Sequence, residues 1–355
     1  MGMQSIIAKI DADQRISESD FLRLDQEASL HQLGLLAHSV RMRKHPNPVV
    51  TYVIDRNINY TDVCISACKF CAFFKAPDDP AGRTLSHDEL LSKIAETQAL
   101  GGTQILLQGG LHPDQPLEFY EEMLRVMKST GIHIHGFSPP EIHHFAQLSA
   151  LSVQEVLKRL IAAGLDSIPG GGAEILNNRV RRELAPQKCN AGQWIMIMEE
   201  AHKLGLRTTA TMMFGHIEQM EERLEHLVRL RDLQDRTGGF TAFIPWPFQP
   251  DHTPLAAARV IEKTTAVSYL RMLALSRLFL DNFDNIQASW VTQGPKVAQL
   301  SLFFGANDFG STMIEENVVA AAGVRFRLSE EEIKRLVIDA GFDPRQRLMD
   351  YSPAK

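Results

Sequence analysis

The chain has 355 residues, 44% of them apolar and 23% charged, an ordinary globular usage that excludes disordered, collagen-like and coiled-coil descriptions. Its 37 basic and 43 acidic residues leave a formal charge of −6, with no basic tract to follow a phosphate backbone, so no nucleic acid partner is expected. No run of about 18 apolar residues marks a membrane span, and Asp11 and Asp13 break any N-terminal signal core, so no membrane partner is expected and a cytoplasmic location is.

In chain order, residues 1–48 read as an N-terminal helical segment, with Leu22, Leu30, Leu33, Leu36 and Ala37 at helical spacing and few β signals. From Val49 the pattern changes to short β-branched or apolar runs alternating with amphipathic stretches. Strands are expected over 50–55, 104–108, 133–137, 166–168, 208–213, 240–244 and 285–288, with an eighth near 302–305. Ser86 and Glu89 have capping-box spacing, and Gly101-Gly102 ends the helix they open. Longer helices are expected near 192–204, 219–236 and 262–283, and a last one over 328–340. About eight βα units in roughly 260 residues predict an α/β fold, a (β/α)8 TIM-type barrel over 49–325 with a helical tail over 326–355. An open doubly wound sheet is the alternative.

Three of the four cysteines, Cys64, Cys68 and Cys71, stand in C-x3-C-x2-C spacing in the loop after the first expected strand, where barrels place their chemistry; Cys189 stands alone. Three thiolates in eight residues suit an iron–sulfur cube with one iron left open. A zinc site would call for a second cysteine pair or histidines at matching spacing, and the nearest histidine in sequence is His87.

This spacing, with Phe70 before the last cysteine, resembles the signature of radical S-adenosylmethionine enzymes. The resemblance implies a [4Fe-4S] cluster on Cys64, Cys68 and Cys71 that binds S-adenosyl-L-methionine through its open iron and cleaves it to a 5′-deoxyadenosyl radical. Leu107-Gln108-Gly109-Gly110 resembles the strand-end motif that holds the methionine amino group, although Leu111 stands where an acid is usual. Ile168-Pro169-Gly170-Gly171-Gly172-Ala173-Glu174, with Arg181 and Pro186-Gln187-Lys188, is similar to a block shared by the radical enzymes of the futalosine route to menaquinone and their deazaflavin- and thiamine-pathway relatives. There Glu174 would reach the cofactor ribose and Arg181 its carboxylate. The alternative for Glu174 is a helix N-terminal charge, worth about 0.3–1 kcal/mol, but its place at a strand end favours a ligand role.

Residues 55–61, 211–218 and 243–250 resemble the ring-closing branch of that group, and 305–313 with Glu315-Glu316-Asn317 is shared more widely. The resemblance implies dehypoxanthine futalosine as substrate, hydrogen abstraction at its ribosyl C4′, addition to the benzoate ring, and rearomatisation by loss of an electron and a proton. It also implies an external electron donor such as flavodoxin or ferredoxin for priming. The competing readings are the sister branch, which joins an enolpyruvyl benzoate to the cofactor-derived radical, and a non-catalytic iron–sulfur protein. Trp246 and Trp290 are expected to line the substrate cavity, with Phe214, Phe243 and Met213 as further lining residues. His216, Glu218 and Asp308 are candidate proton acceptors. Arg56 or Arg181 is the expected anchor for the benzoate carboxylate.

Overall fold

The computed structural model describes residues 2–354. Its strands are β1 (Val49–Val53), β2 (Asp55–Asn59), β3 (Gln104–Gln108), β4 (His133–Gly136), β5 (Ser167–Ile168), β6 (Arg207–Phe214), β7 (Phe240–Pro247), β8 (Asn285–Ile286), β9 (Asp308–Ser311) and β10 (Asp343–Gln346). β2 to β8 form one parallel sheet in sequence order. β1 lies between β9 and β10 in a second parallel sheet and runs straight on into β2. The ring is completed by β9: Asp308 bridges to Gln287 just beyond β8, and Ala288 N donates to Asp308 O (2.9 Å). Counting β1–β2 as one long strand, the TIM-type barrel has its eight staves.

The sequence reading misplaced the eighth strand and missed β10, which lies within the stretch 326–355 expected to be a helical tail. Residues 302–305 follow helix Pro295–Ser301 as a turn that ends at Gly305 (φ +103°), and the strand is β9, six residues later. The apolar run Leu302-Phe303-Phe304 imitated a buried strand, but it seats the helix end instead: Phe304 packs so closely on Gly34 that a Cβ there would lie 2.8 Å from its ring. The helix expected from 262 begins after Thr265, whose side chain caps it, and covers Ala266–Phe279.

The N-terminal helices pack on that helix. Phe21 meets Phe279 edge-on at 5.4 Å, and the Arg271 guanidinium donates to Ala28 O (2.9 Å). At the other end of the chain, β10 lies along the lower half of β1 beneath the start of β3, with Gln346 donating to Gly101 O (2.9 Å). The chain's C-terminal segment thereby reaches the bottom of the barrel. Among the described residues no helix is long and apolar enough to cross a membrane.

One buried imidazole couples this fold to pH. His226, on helix Met220–Thr237, is wholly buried and accepts a hydrogen bond from Leu176 N through Nδ1 (2.9 Å). Burial, helped by the Arg181 charge, brings its pKa down from 6.5 to about 3. Between these values the unfolded chain binds the extra proton and the folded chain does not. The stability held by the neutral ring is therefore complete above pH 6.5 and is lost as pH falls toward 3, by at most about 1.4 kcal/mol per unit. In urea titrations at stepped pH, His226→Gln, which keeps an acceptor for Leu176 N but cannot titrate, should show a shallower acid loss; equal slopes would remove His226 from the account.

Candidate active site

Beyond β2 the chain enters the cysteine loop, which main-chain bonds tie down at Cys64 N to Lys75 O (2.9 Å), Ile65 N to Leu111 O (3.0 Å) and Lys69 N to Leu184 O (2.8 Å). Cys64 Sγ accepts from Leu111 N (3.3 Å) and Ser66 N (3.4 Å), and Ser66 Oγ lies 3.1 Å from Cys68 Sγ. Gly110 lets the loop lie against the end of β3: a Cβ there would stand 2.1 Å from Val63 O and 2.9 Å from Cys64 Cβ.

The end of β3 is organised by a residue that the sequence reading missed. Glu141, buried at the start of helix Pro139–Ser149, accepts from Gly109 N (3.0 Å), Tyr60 Oη (2.8 Å), Ser138 N (2.7 Å) and Ser138 Oγ (2.6 Å). Burial raises its pKa in spite of these four donors. The Ser138-x-x-Glu141 capping spacing was the signal available in the sequence.

After β5 the glycine-rich loop crosses the barrel mouth. A Cβ on Gly171 would strike Gln108 Nε2 at 2.2 Å, so the loop and the strand-end glutamine are in direct contact. Glu174 takes a left-handed conformation (φ +42°), unusual without glycine, and its main chain is held there by Met213 N donating to its carbonyl (3.0 Å). Its carboxylate meets Lys188 Nζ (2.9 Å) and, more distantly, Arg181 (3.5 Å). Burial alone would raise the Glu174 pKa, but these two cations hold it below the usual range. Lys188, a second residue whose role was missed, lies 5.1 Å from the Phe70 ring centroid. Burial works to discharge it, but Cys68 and Glu174 outweigh that and keep its pKa well above the ordinary value.

Below this rim lies a cavity of about 290 Å³, lined by Gln108, Gly171 and Glu174 toward the cysteine loop and by Trp246 and Trp290 on the far wall. Trp290 Nε1 donates to Ser311 O (2.8 Å), which fixes its ring. The floor is polar: Asp55, Gln104, His135, Ser311 and Arg347. Arg347 grips the fully buried Asp308 through Nε (2.5 Å) and Nη2 (3.2 Å).

Several expected site residues lie elsewhere. Arg56 points outward to Glu96 (2.9 Å) and Glu315 (3.8 Å) and borders a separate surface groove, because strand alternation turns Asp55 and Asn57 inward and Arg56 out. Arg181 bonds to carbonyls, Ala173 (2.7 Å), Gly172 (3.0 Å) and Cys189 (2.6 Å), and so braces the loop that carries Glu174. His216 and Glu218 pair with each other at 2.7 Å in a turn walled off from the cavity; Glu218 also accepts from Gly215 N (2.6 Å) and faces Arg223. Burial would raise the Glu218 pKa, but these partners hold it far below the usual range, which makes it a poor proton acceptor. Asp308 lies beneath the floor with both oxygens on Arg347 and Thr51 Oγ1 (2.6 Å). Met213, Phe214 and Phe243 are buried in the core rather than exposed to the cavity.

A closed zinc site would call for a fourth protein ligand, and the partners of the Cys64 and Cys68 sulfurs are main-chain N–H groups and the Ser66 hydroxyl. The donor set is instead three soft thiols with no histidine or carboxylate among them, held over a glycine cradle that leaves room beside Gln108 and Glu174. That arrangement fits an iron–sulfur cluster and a small charged ligand next to it.

Comparison with known proteins agrees with the geometry. Residues 58–230 match the Radical SAM superfamily, and residues 237–355 match the CofH/MqnC C-terminal region. The chain is 45% identical to a cyclic dehypoxanthine futalosine synthase of Halalkalibacterium halodurans, over 99% of this chain and 95% of that one. It is 47% identical to a protein of the same name from Streptomyces coelicolor, over 98% and 88%. An aminodeoxyfutalosine synthase of Thermus thermophilus is 42% identical over 96% and 93%. Among solved structures, methylornithine synthase superposes with a TM-score of 0.74 at 18% identity, covering 96% of this chain and 97% of that one. The hydrogenase maturase HydG of Carboxydothermus hydrogenoformans superposes with a TM-score of 0.76 at 18% identity, over 98% and 80%.

Proposed function

Since this chain belongs to the radical S-adenosylmethionine superfamily, and to its CofH/MqnC group, we propose that it converts dehypoxanthine futalosine to its cyclic form on the futalosine route to menaquinone. The observation that carries this reading is the 45–47% identity to two synthases of that name along nearly the whole chain.

Membership implies a four-iron cluster and S-adenosylmethionine, which together supply a hydrogen-abstracting radical when bound. Cys64, Cys68 and Cys71 hold the cluster. Phe70, Gln108, Gly109 and Gly110 would shape the cofactor's seat, and Glu174, kept ionised by Lys188 and on a loop braced by Arg181, would bind its sugar. Trp246 and Trp290 close the substrate side with apolar surface, which keeps water and protein hydrogens away from a reactive carbon centre. Arg347 replaces Arg56 as carboxylate anchor. It is the only lysine or arginine among the described cavity-lining residues, and its bonds to Asp308 and Leu348 O use three of five N–H donors. A small one-electron carrier of the flavodoxin or ferredoxin type supplies the priming electron.

The test is anaerobic reconstitution with iron and sulfide, then reduction in the presence of S-adenosylmethionine and dehypoxanthine futalosine, with products read by mass spectrometry. A product lighter than substrate by two hydrogens, formed with 5′-deoxyadenosine, is expected. No cyclic product from dehypoxanthine futalosine, together with an adenosyl adduct formed when an enolpyruvyl benzoate is supplied instead, would move the assignment to the aminodeoxyfutalosine synthase reaction.

A further inference from the structure

Two buried acceptor atoms in the cavity wall have no donor. Asn57 on β2 and Gln104 on β3 are each 5% exposed and line the cavity, yet Asn57 Oδ1 and Gln104 Oε1 make no hydrogen bond. The orientation of Gln104 is fixed by its neighbour: Nε2 donates to Asp55 Oδ2 (2.8 Å), while Asp55 Oδ1 takes the Ser311 hydroxyl. That contact sets which way the Gln104 amide faces. The register places Gln104 opposite Asp55, and strand alternation carries Asn57 one inward step higher on the same wall, beside the apolar Leu106.

Buried carbonyl oxygens of this kind are ordinarily paired, and an unpaired couple on a cavity wall points to a ligand that brings donors. A carboxylate or ketone cannot serve, since it offers only lone pairs. Hydroxyl groups can, and two acceptors on adjoining strands suit a sugar that carries several of them. The indoles of Trp246 and Trp290, also on the cavity wall, offer apolar surface for an aromatic ring.

We propose that Asn57 Oδ1 and Gln104 Oε1 accept hydrogen bonds from the sugar hydroxyls of the substrate and so select a ligand that joins a polyhydroxylated sugar to an aryl carboxylate. The inference rests on the reading under Proposed function and adds to it the residues that recognise the sugar.

The test uses reconstituted protein saturated with S-adenosylmethionine and measures substrate binding by calorimetry and KM by product formation. The ligands are dehypoxanthine futalosine and analogues that each lack one sugar hydroxyl. Asn57→Leu should weaken binding of the full substrate about tenfold and raise KM to match, with iron content, S-adenosylmethionine affinity and unfolding midpoint unchanged. One deoxy analogue should bind wild type and Asn57→Leu equally, because the hydroxyl that Asn57 accepts is already gone. Gln104→Leu, which removes the second acceptor, reports on that position: it should bind a different deoxy analogue no worse than the full substrate. Should Asn57→Leu bind the full substrate within twofold of wild type, or lose equally against every analogue, the assignment is overturned. A wild-type protein that binds no dehypoxanthine futalosine at all overturns the proposed function, and this inference with it.

Discussion

An anaerobically reconstituted Cys68→Ala variant should retain no four-iron cluster and form 5′-deoxyadenosine only at background, while its unfolding midpoint stays near that of the metal-free wild type. Cys68 is the buried thiol of the three, and burial pushes its pKa up to about 11, so it binds metal only by exchanging its proton for iron. Replacing it leaves two thiols of the three, and the group that lies against its sulfur, the Ser66 hydroxyl at 3.1 Å, is not a thiolate. Cys189→Ala is the control. That sulfur lies 3.8 Å from Arg181, but what braces the loop is the Cys189 carbonyl, which alanine keeps. Iron content and cofactor cleavage should therefore survive in Cys189→Ala, and a cluster retained by Cys68→Ala would remove that residue from the ligand set.

The largest loss of stability is expected from Arg277→Met, about 3–5 kcal/mol in the free energy of unfolding. Arg277 is 0% exposed and faces carbonyls rather than a carboxylate: Gly305 O (2.8 Å), Asp284 O (2.9 Å), Phe283 O (3.2 Å) and Asn307 Oδ1 (2.7 Å). Burial, with Arg41 nearby, lowers its pKa to about 9, so the cation is held at neutral pH by its hydrogen bonds. Methionine fills much of the volume but leaves four acceptors without that donor, in the segments that lead into β8 and β9. Arg277→Lys should recover little, because a single ammonium cannot span acceptors that the planar guanidinium reaches together. Denaturant titration decides the matter: a loss below about 1 kcal/mol would mean that water replaces the guanidinium without cost.

Much of the barrel is written in local pattern. The strands from β2 to β8 are short runs bounded by glycines and capping residues, and the cysteine triplet falls in the loop after the first of them. β9 was missed because Asp308-Phe309-Gly310-Ser311 has little intrinsic preference for a strand and is held extended by partners from distant segments, among them Arg347. For the same reason the cavity floor was not legible: Arg347 arrives from a polar segment with no periodicity to announce it. His216 and Glu218 had the composition of an acid–base pair, but two residues apart in a tight turn they bond to each other and to the local main chain. Arg56 is a different kind of miss, since the alternation of β2 already placed it on the outer face.

β1 pairs with β10 from Val49 to Asp343, joining positions 294 residues apart in the chain. At typical synthesis rates of roughly 5–20 residues per second, β1 waits about 15–60 seconds on the ribosome before its partner is made. During that time one edge of a parallel strand lies open to other nascent chains, and the barrel has no base. Arg347 follows β10 directly, so of the five floor residues named above it is the last to be made. A chain released before that point would carry its cysteine loop and glycine-rich rim complete above a floor that lacks its cation.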